Sequence, residues 1–219
     1  MKKADLHIHT LYSSDAVTKP ATVLQTAAEK GMHIIAVTDH DSTGAWSELL
    51  EKGPYYGVEV VLGQEIRLWN GKFPAGDVVG LFLKQPLRSR ELPALLAEIA
   101  EQDGLAVIAH PFCSRREFRA FEHIVDWQRI ALEVRNGRIF NERDNEMAEV
   151  LAQKLKLPVT AGSDAHTPFE IGSVYLEFEG RNAEDLKQAI LHHDVRPAGS
   201  PSSPFFSLIS PFGRLGIAI

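Results

Sequence analysis

Histidines and carboxylates recur in short, tight spacings along this chain. They appear as Asp5-Leu6-His7-Ile8-His9, as Asp39-His40, as His110 and as Asp164-Ala165-His166, with Asp15, Glu65 and Asp77 between them. Imidazole binds metals and carries protons near neutral pH. Carboxylates neutralise divalent cations and can bridge two of them. Side chains two apart on a strand point the same way, so His7 and His9 can share one ion. Taken singly, each match has an ordinary reading as a buried hydrogen-bonded histidine, a helix cap or a satisfied loop. Taken together they do not, because imidazoles and carboxylates buried side by side repel or go unsatisfied unless a cation joins them. Mixed nitrogen and oxygen ligands suit Zn, Mn or Fe.

The elements that must position these groups follow from periodicity. Short apolar runs predict strands at 3–8, 33–38, 58–63, 77–83, 105–110, 130–134, 158–163 and 173–178. Amphipathic spacing predicts helices at 20–30, 43–52, 92–102, 116–127, 143–155 and 183–192, the second of them ended by Gly53-Pro54. Strands alternating with helices imply parallel strands with helical crossovers, and about seven core strands suit a (β/α) barrel. No GxGxxG follows the first strand, so the dinucleotide fingerprint is missing. Nearly every strand ends in a metal-competent residue, and in such a barrel the strand ends and the loops after them meet at one mouth. The stretches 66–76 and 111–119 are expected as loops flanking that mouth.

Composition bounds the rest. The 219 residues carry 23 Lys plus Arg against 29 Asp plus Glu, a formal net charge of -6, which disfavours a nucleic acid duplex or an anionic membrane as partner. A single cysteine, Cys113, cannot build a disulfide framework, and the first residues lack the apolar run of a signal peptide, so a cytoplasmic protein is expected. Cys113 has no accompanying histidine–asparagine signature that would mark it as a nucleophile. His33, His123 and His192-His193 read as structural. Arg115, Arg116, Arg135 and Arg138 follow the strand ends that hold His110 and Glu133. An arginine facing the mouth there would fork onto a phosphate, so Arg116, Arg135 and Arg138 are the candidate substrate-binding residues. The expected organisation is one domain over 1–198 and a Pro- and Ser-rich tail over 199–219.

The ordered segments ADLHIHTLYSSD, AVTDHDSTG, VVLGQEI, VIAHPF and AGSDAH resemble the polymerase and histidinol phosphatase (PHP) family of metal-dependent phosphoesterases, over roughly residues 4–180. The resemblance implies an α/β fold, a distorted (β/α)7 barrel, with two or three divalent ions (Mn, Fe or Zn) at its mouth. It implies that His7, His9, Glu65 and Asp164 hold a first metal, that Glu65 bridges to a second also held by His110, and that Asp15, His40 and His166 hold a third. At one further ligand position of the second metal the family usually has histidine in a histidine-apolar-apolar-Gly stretch. Here that stretch reads Asp77-Val78-Val79-Gly80, a carboxylate in its place. Asp39 would orient a ligand through a hydrogen bond. Catalysis is expected to rest on Glu65, His110 and Asp164.

The expected reaction is hydrolysis of a small phosphate ester by a metal-activated hydroxide, the substrate being a nucleotide, an oligonucleotide end or a phosphorylated metabolite. Two other readings stand beside it: a metal-binding module without catalysis, and a metal hydrolase acting on a lactone or amide. Sequence does not assign an oligomeric state.

Overall fold

The computed structural model describes residues 1–208 apart from 115, 122, 123, 125, 126 and 128. In chain order its main elements are β1 (Lys2–Ile8), α1 (Pro20–Glu29), β2 (Ile34–Val37), α2 (Trp46–Tyr56), β3 (Glu59–Asn70), β4 (Phe73–Leu81), α3 (Leu92–Glu101), β5 (Leu105–Ala109), β6 (Ile130–Asn136), α4 (Glu142–Leu155), β7 (Val159–Gly162), β8 (Val174–Phe178), α5 (Ala183–Leu191) and β9 (Val195–Gly199). A short 3₁₀ turn follows at Pro204–Leu208.

The strands form one nine-stranded sheet in the order β7-β6-β5-β4-β3-β2-β1-β8-β9. It curls until its two sides nearly meet. Beyond β7 the chain bridges Ala165 to Ile8 in parallel, and the His9 amide donates to the Ala165 carbonyl at 2.9 Å. Gly162 permits that closure, since a Cβ there would sit 2.4 Å from the Cβ of His7. β1 meets β8 through its first residues and the segment after β7 through its last, so β8 and β9 lie outside the seven-stranded ring.

Most strands are buried on both faces, as near-continuous apolar runs require. In β2, Ile34 and Ala36 join one apolar cluster and Ile35 and Val37 another. The first cluster draws Ala4, Ile34, Val61, Val79, Val107, Ala131 and Ala161 from β1 through β7, so it fills the inside of the ring, and α5 adds Leu186 and Ile190 to it. The second packs β1 and β2 against Val23, Leu24 and Ala27 of α1 and Leu49 of α2. Each such fully buried side chain contributes about 1.5–3 kcal/mol over an exposed one. A rigid apolar floor therefore lies under the mouth.

The structure departs from the sequence expectations in several places. The strands are not all parallel: β4, β8 and β9 pair antiparallel with their neighbours. No helix joins β3 to β4, because Gly71 at φ +62° lets Gly71-Lys72 turn the chain directly into a hairpin. The 66–76 stretch is therefore largely paired strand rather than loop. α2 runs past Gly53-Pro54 to Tyr56 and stops where Gly57 takes the left-handed conformation, its amide donating to the Pro54 carbonyl. Gly53 instead allows a close approach, since a Cβ there would lie 2.7 Å from the Val58 carbonyl oxygen.

The expected helix at 116–127 also differs where it is described. Residues 116–120 are irregular, with the Phe118 amide donating to Pro111 O and the Arg119 amide to Ala75 O rather than to carbonyls of a helix. The positions 122, 123, 125 and 126 of that prediction, His123 included, lie outside the described residues, as does Arg115. At the other end, Gly199 is the last residue of β9. Beyond it Ser202 donates to the Gly137 carbonyl at 2.9 Å and Phe206 stacks on Phe169 with ring centroids 5.2 Å apart. Among the described residues no helix is long and apolar enough to cross a membrane.

Candidate active site at the barrel mouth

The mouth is built from residues near or just past strand ends, with Glu65 and Asp77 from inside β3 and β4 and Asp15 from the loop after β1. β1 brings His7 and leads to His9, β2 leads to Asp39 and His40, and β5 leads to His110. β6 brings Glu133 and Asn136, and β7 leads to Asp164 and His166. Asp77 lies inside β4, which runs antiparallel to its neighbours, so its early residues point to the end where the others finish. His110 and Asp164 hold positive φ, 31° and 53°. Non-glycine residues in that region cost about 1–3 kcal/mol, a strain found where a site over-determines the backbone.

One carboxylate sits at the centre. Glu65 Oε2 lies 3.3 Å from His7 Nε2, 3.2 Å from His9 Nε2 and 3.2 Å from His40 Nδ1, and its Oε1 lies 3.3 Å from His110 Nε2. Asp164 Oδ1 lies 3.4 Å from His9 Nε2 and 3.7 Å from His7 Nε2. Asp15 Oδ2 is 3.5 Å from His166 Nε2 and 3.8 Å from His40 Nε2. Ligand atoms within 4.8 Å of one another fall into three adjoining groups: His7, His9 and Glu65; His9, His40 and His166; and Glu65, Asp77 and His110. The residues expected from sequence to act on metals thus all meet here.

Several of these atoms are buried without a hydrogen bond. They are Glu65 Oε1, Asp164 Oδ1, Asp15 Oδ1 and both ring nitrogens of His110. An orphaned buried polar group costs about 1–3 kcal/mol, and several gathered in one place call for a shared partner. Ligand atoms about 2.1 Å from an ion lie roughly 3–3.5 Å from one another, which is the spacing seen. The residues therefore fit divalent cations, and the nitrogen and oxygen mixture fits Zn, Mn or Fe.

The surroundings hold the ligands in place. Glu133 accepts from the His110 amide at 2.9 Å and from Asn136 Nδ2 at 2.9 Å, and its other oxygen lies 2.9 Å from His7 Nδ1. Asp39 accepts from the Thr10 amide, the Thr10 hydroxyl and the Ser13 hydroxyl at 2.6, 2.7 and 2.9 Å, fixing the loop after β1. Asp39 meets no ligand ring through these bonds; it reaches His9 by way of the Ser13 hydroxyl, which lies 3.0 Å from His9 Nδ1. Glu170 accepts from the His166 and Thr167 amides.

Of the candidate substrate-binding arginines, Arg116 reaches the cluster, with Nη2 3.3 Å from Asp164 Oδ2. Arg138 pairs with Glu170 at 3.3 Å. Arg135 donates to the Gly199 carbonyl and lines a different cavity with Glu142, Glu146 and Pro201. Sequence reasoning passed over Arg67, whose guanidinium clasps Asp77. Its position two after Glu65 on one strand was the available signal.

Charge in this cluster is tightly coupled. Burial opposes a proton on His7, but Glu133, Asp164 and Glu65 outweigh it and raise its pKa well above the usual value. Burial likewise opposes charge on His9, yet Asp164 and Glu65 raise its pKa to about 9. Burial, then the His9 charge, lowers His166 to about 4. Burial raises the pKa of Glu65, but His40 and His7 reverse that and hold it well below the ordinary range.

A metal must displace the protons on His7 and His9, so metal loading at pH 7 should release protons and strengthen as pH rises. The stability trends then have opposite signs. A raised His9 pKa stabilises the metal-free fold fully below pH 6.5, and that contribution is lost as pH rises through about 9. Melting temperatures of chelator-stripped protein should fall over this window, while those of protein in fixed Mn²⁺ should rise. Parallel trends would contradict the assignment.

A barrel whose mouth gathers these ligands defines a metal-dependent hydrolase, and comparison with known proteins identifies which kind. A family model of the PHP domain matches residues 5–79, and one described as PHP-associated matches residues 142–195. A Methanocaldococcus jannaschii protein described as uncharacterized is 33% identical over 167 residues, covering 69% of this chain and 95% of that protein. The probable phosphatase YcdX of Escherichia coli is 26% identical over 214 residues, covering 82% of this chain and 83% of YcdX.

Among solved structures, a two-domain Bacteroides vulgatus protein containing a predicted PHP-like metal-dependent phosphoesterase aligns with a TM-score of 0.77 at 18% identity, over 91% of this chain and 65% of that one. The lesion-specific endonuclease PfuEndoQ of Pyrococcus furiosus aligns with a TM-score of 0.64 at 18% identity, over 90% of this chain and 58% of that one. At such identity the structures show a shared fold alone. The chain belongs to the PHP family of metal-dependent phosphoesterases, a class of hydrolases.

Proposed function

We propose that this chain hydrolyses a small phosphate ester at the barrel mouth, a nucleotide, an oligonucleotide end or a phosphorylated metabolite. The observation that carries the reading is the meeting of three adjoining ligand groups around Glu65 with Arg116 beside them. In this reading His7, His9, Glu65 and Asp164 hold one cation. Asp15, His40 and His166 hold another, and Glu65 and His110 face a further position between β3 and β5. When bound, the ions withdraw charge from the phosphoryl oxygens and lower the pKa of water at the site.

The chain's own residues orient and select. Glu133 holds the His7 ring so that Nε2 faces the mouth. Burial opposes the charge on Arg116, but Asp164, Glu65 and Asp77 outweigh it, so the guanidinium stays cationic and can meet a phosphate oxygen. The net charge of -6 supports a small substrate over a long duplex. A cytoplasmic setting and a unit of 1–198 followed by a tail over 199–219 belong to the same proposal.

A panel of nucleoside monophosphates, 5′- and 3′-phosphorylated dinucleotides, sugar phosphates, a lactone and an amide, each with Mn²⁺, Fe²⁺ or Zn²⁺, tests it. Phosphate release from at least one small ester is expected. Turnover confined to the lactone or amide would replace the reading, and metal-loaded protein inert on the whole panel would favour a binding module.

A further inference from the structure

Arg67 and Asp77 face each other across the β3–β4 hairpin as register partners. The Arg67 fork spans the whole carboxylate, with Nε donating to Oδ1 at 2.8 Å and Nη2 to Oδ2 at 3.1 Å. Asp77 is fully buried, while the Arg67 side chain is 33% exposed. On the other side Arg116, 23% exposed, lies 3.3 Å from Asp164 and 4.0 Å from Asp77 Oδ2. Two guanidiniums thus stand on the rim next to Glu65 and His110, each braced by a buried carboxylate.

This arrangement bears on the cation position between Glu65 and His110. A carboxylate gripped at both oxygens by a guanidinium is a poor metal ligand, because coordination competes with two charge-assisted hydrogen bonds. Without Asp77 that position has two protein ligands, fewer than a divalent ion of this class takes. A second cation there would also crowd two fixed positive charges. Yet the charge needed to meet a phosphate dianion is already present. Arg67 spends Nε and Nη2 on Asp77, and that pair does not use Nη1.

We propose that Arg67, locked by Asp77, and Arg116, braced by Asp164, form a two-guanidinium phosphate clamp that supplies positive charge in place of a tightly held cation at the Glu65–His110 position. Asp77 is then a positioning residue for an arginine. The inference deepens the phosphoesterase reading and rests on it for the phosphate class of ligand.

The test uses the full chain and two readouts that need no turnover: Mn²⁺ bound per chain by equilibrium dialysis with elemental analysis, and the affinity for inorganic phosphate by calorimetry. Arg67→Met should weaken phosphate roughly ten- to a hundredfold, as loss of a charge-assisted hydrogen bond does, and should raise Mn²⁺ occupancy because Asp77 is released. Asp77→Asn should leave the Mn²⁺ count unchanged and weaken phosphate by the same order, since Arg67 loses its anchor. Arg67→Lys keeps a cation, controls for folding and should retain part of the phosphate affinity.

Asp77→Asn losing one Mn²⁺ with phosphate affinity intact would overturn the proposal and make Asp77 a ligand. Unchanged phosphate affinity in folded Arg67→Met would overturn it as well. Protein that bound metal and phosphate as expected but hydrolysed no ester would sink the hydrolase reading and leave the clamp standing.

Discussion

Glu65→Gln should lower kcat/KM on the order of a thousandfold, about 4 kcal/mol of transition-state stabilisation, with loss of bound metal. Its two oxygens lie within 3.3 Å of nitrogens from His7, His9, His40 and His110, so one carboxylate serves every histidine pair at the centre of the mouth. An amide is isosteric, but it is neutral and offers a single, weaker oxygen ligand. Both adjoining cation positions lose charge at once. The same change at Asp77 should cost less, because Asp77 lies at the edge and pairs with Arg67. Elemental analysis and steady-state rates of the two variants check the ranking. Equal losses of activity with full metal content in both would remove Glu65 from the bridging position.

Glu133→Ala should weaken metal binding ten- to a hundredfold without removing a ligand, the usual effect of losing an orienting partner. Glu133 lies 2.9 Å from His7 Nδ1 and accepts from the His110 amide at 2.9 Å. Truncation frees the His7 ring to turn and orphans a buried amide at a residue already held at positive φ. The orphaned amide adds about 1–3 kcal/mol of destabilisation. Glu133→Gln keeps the shape and one acceptor oxygen, so it should recover most of the stability but only part of the metal affinity. Metal titration alongside thermal melting separates the two effects. An alanine variant that binds Mn²⁺ as tightly as the parent would show that His7 is oriented by something else.

Much of this site could be read directly from residue order. Alternation along a strand put His7 and His9 on one side, and the rule that strand ends share a mouth gathered His40, His110, Asp164 and His166. What escaped depended on strand direction. Reading β3 as ending near Gly63 left Ile66 to Asn70 as loop, which hid both the reversal at Gly71 and the pairing of Arg67 with Asp77. Asn70-Gly71 between apolar runs was the hairpin signal. Asp77 was placed at the start of a strand, and the arginine facing it across the hairpin lies outside any single-strand pattern.

Glu133 was visible as a polar residue in an apolar strand, but its partners are His7, 126 positions away, and an amide 23 away, so no local spacing reveals its role. The helix expected at 116–127 failed in its described part because tertiary bonds to Pro111 and Ala75 take the amides that a helix would use. β9 was missed because Pro197 weakens its strand signal, although it pairs with β8 at an edge where proline is tolerated.

The most direct test of the metal-dependent phosphoesterase account is release of inorganic phosphate measured against bound metal in one preparation. Protein is stripped with chelator, reloaded stepwise with Mn²⁺, and assayed on the best small ester at each step. The account predicts no release from stripped protein, and release that climbs with bound Mn²⁺ and reaches full rate only above one ion per chain. Phosphate release from fully stripped protein at the loaded rate would contradict it.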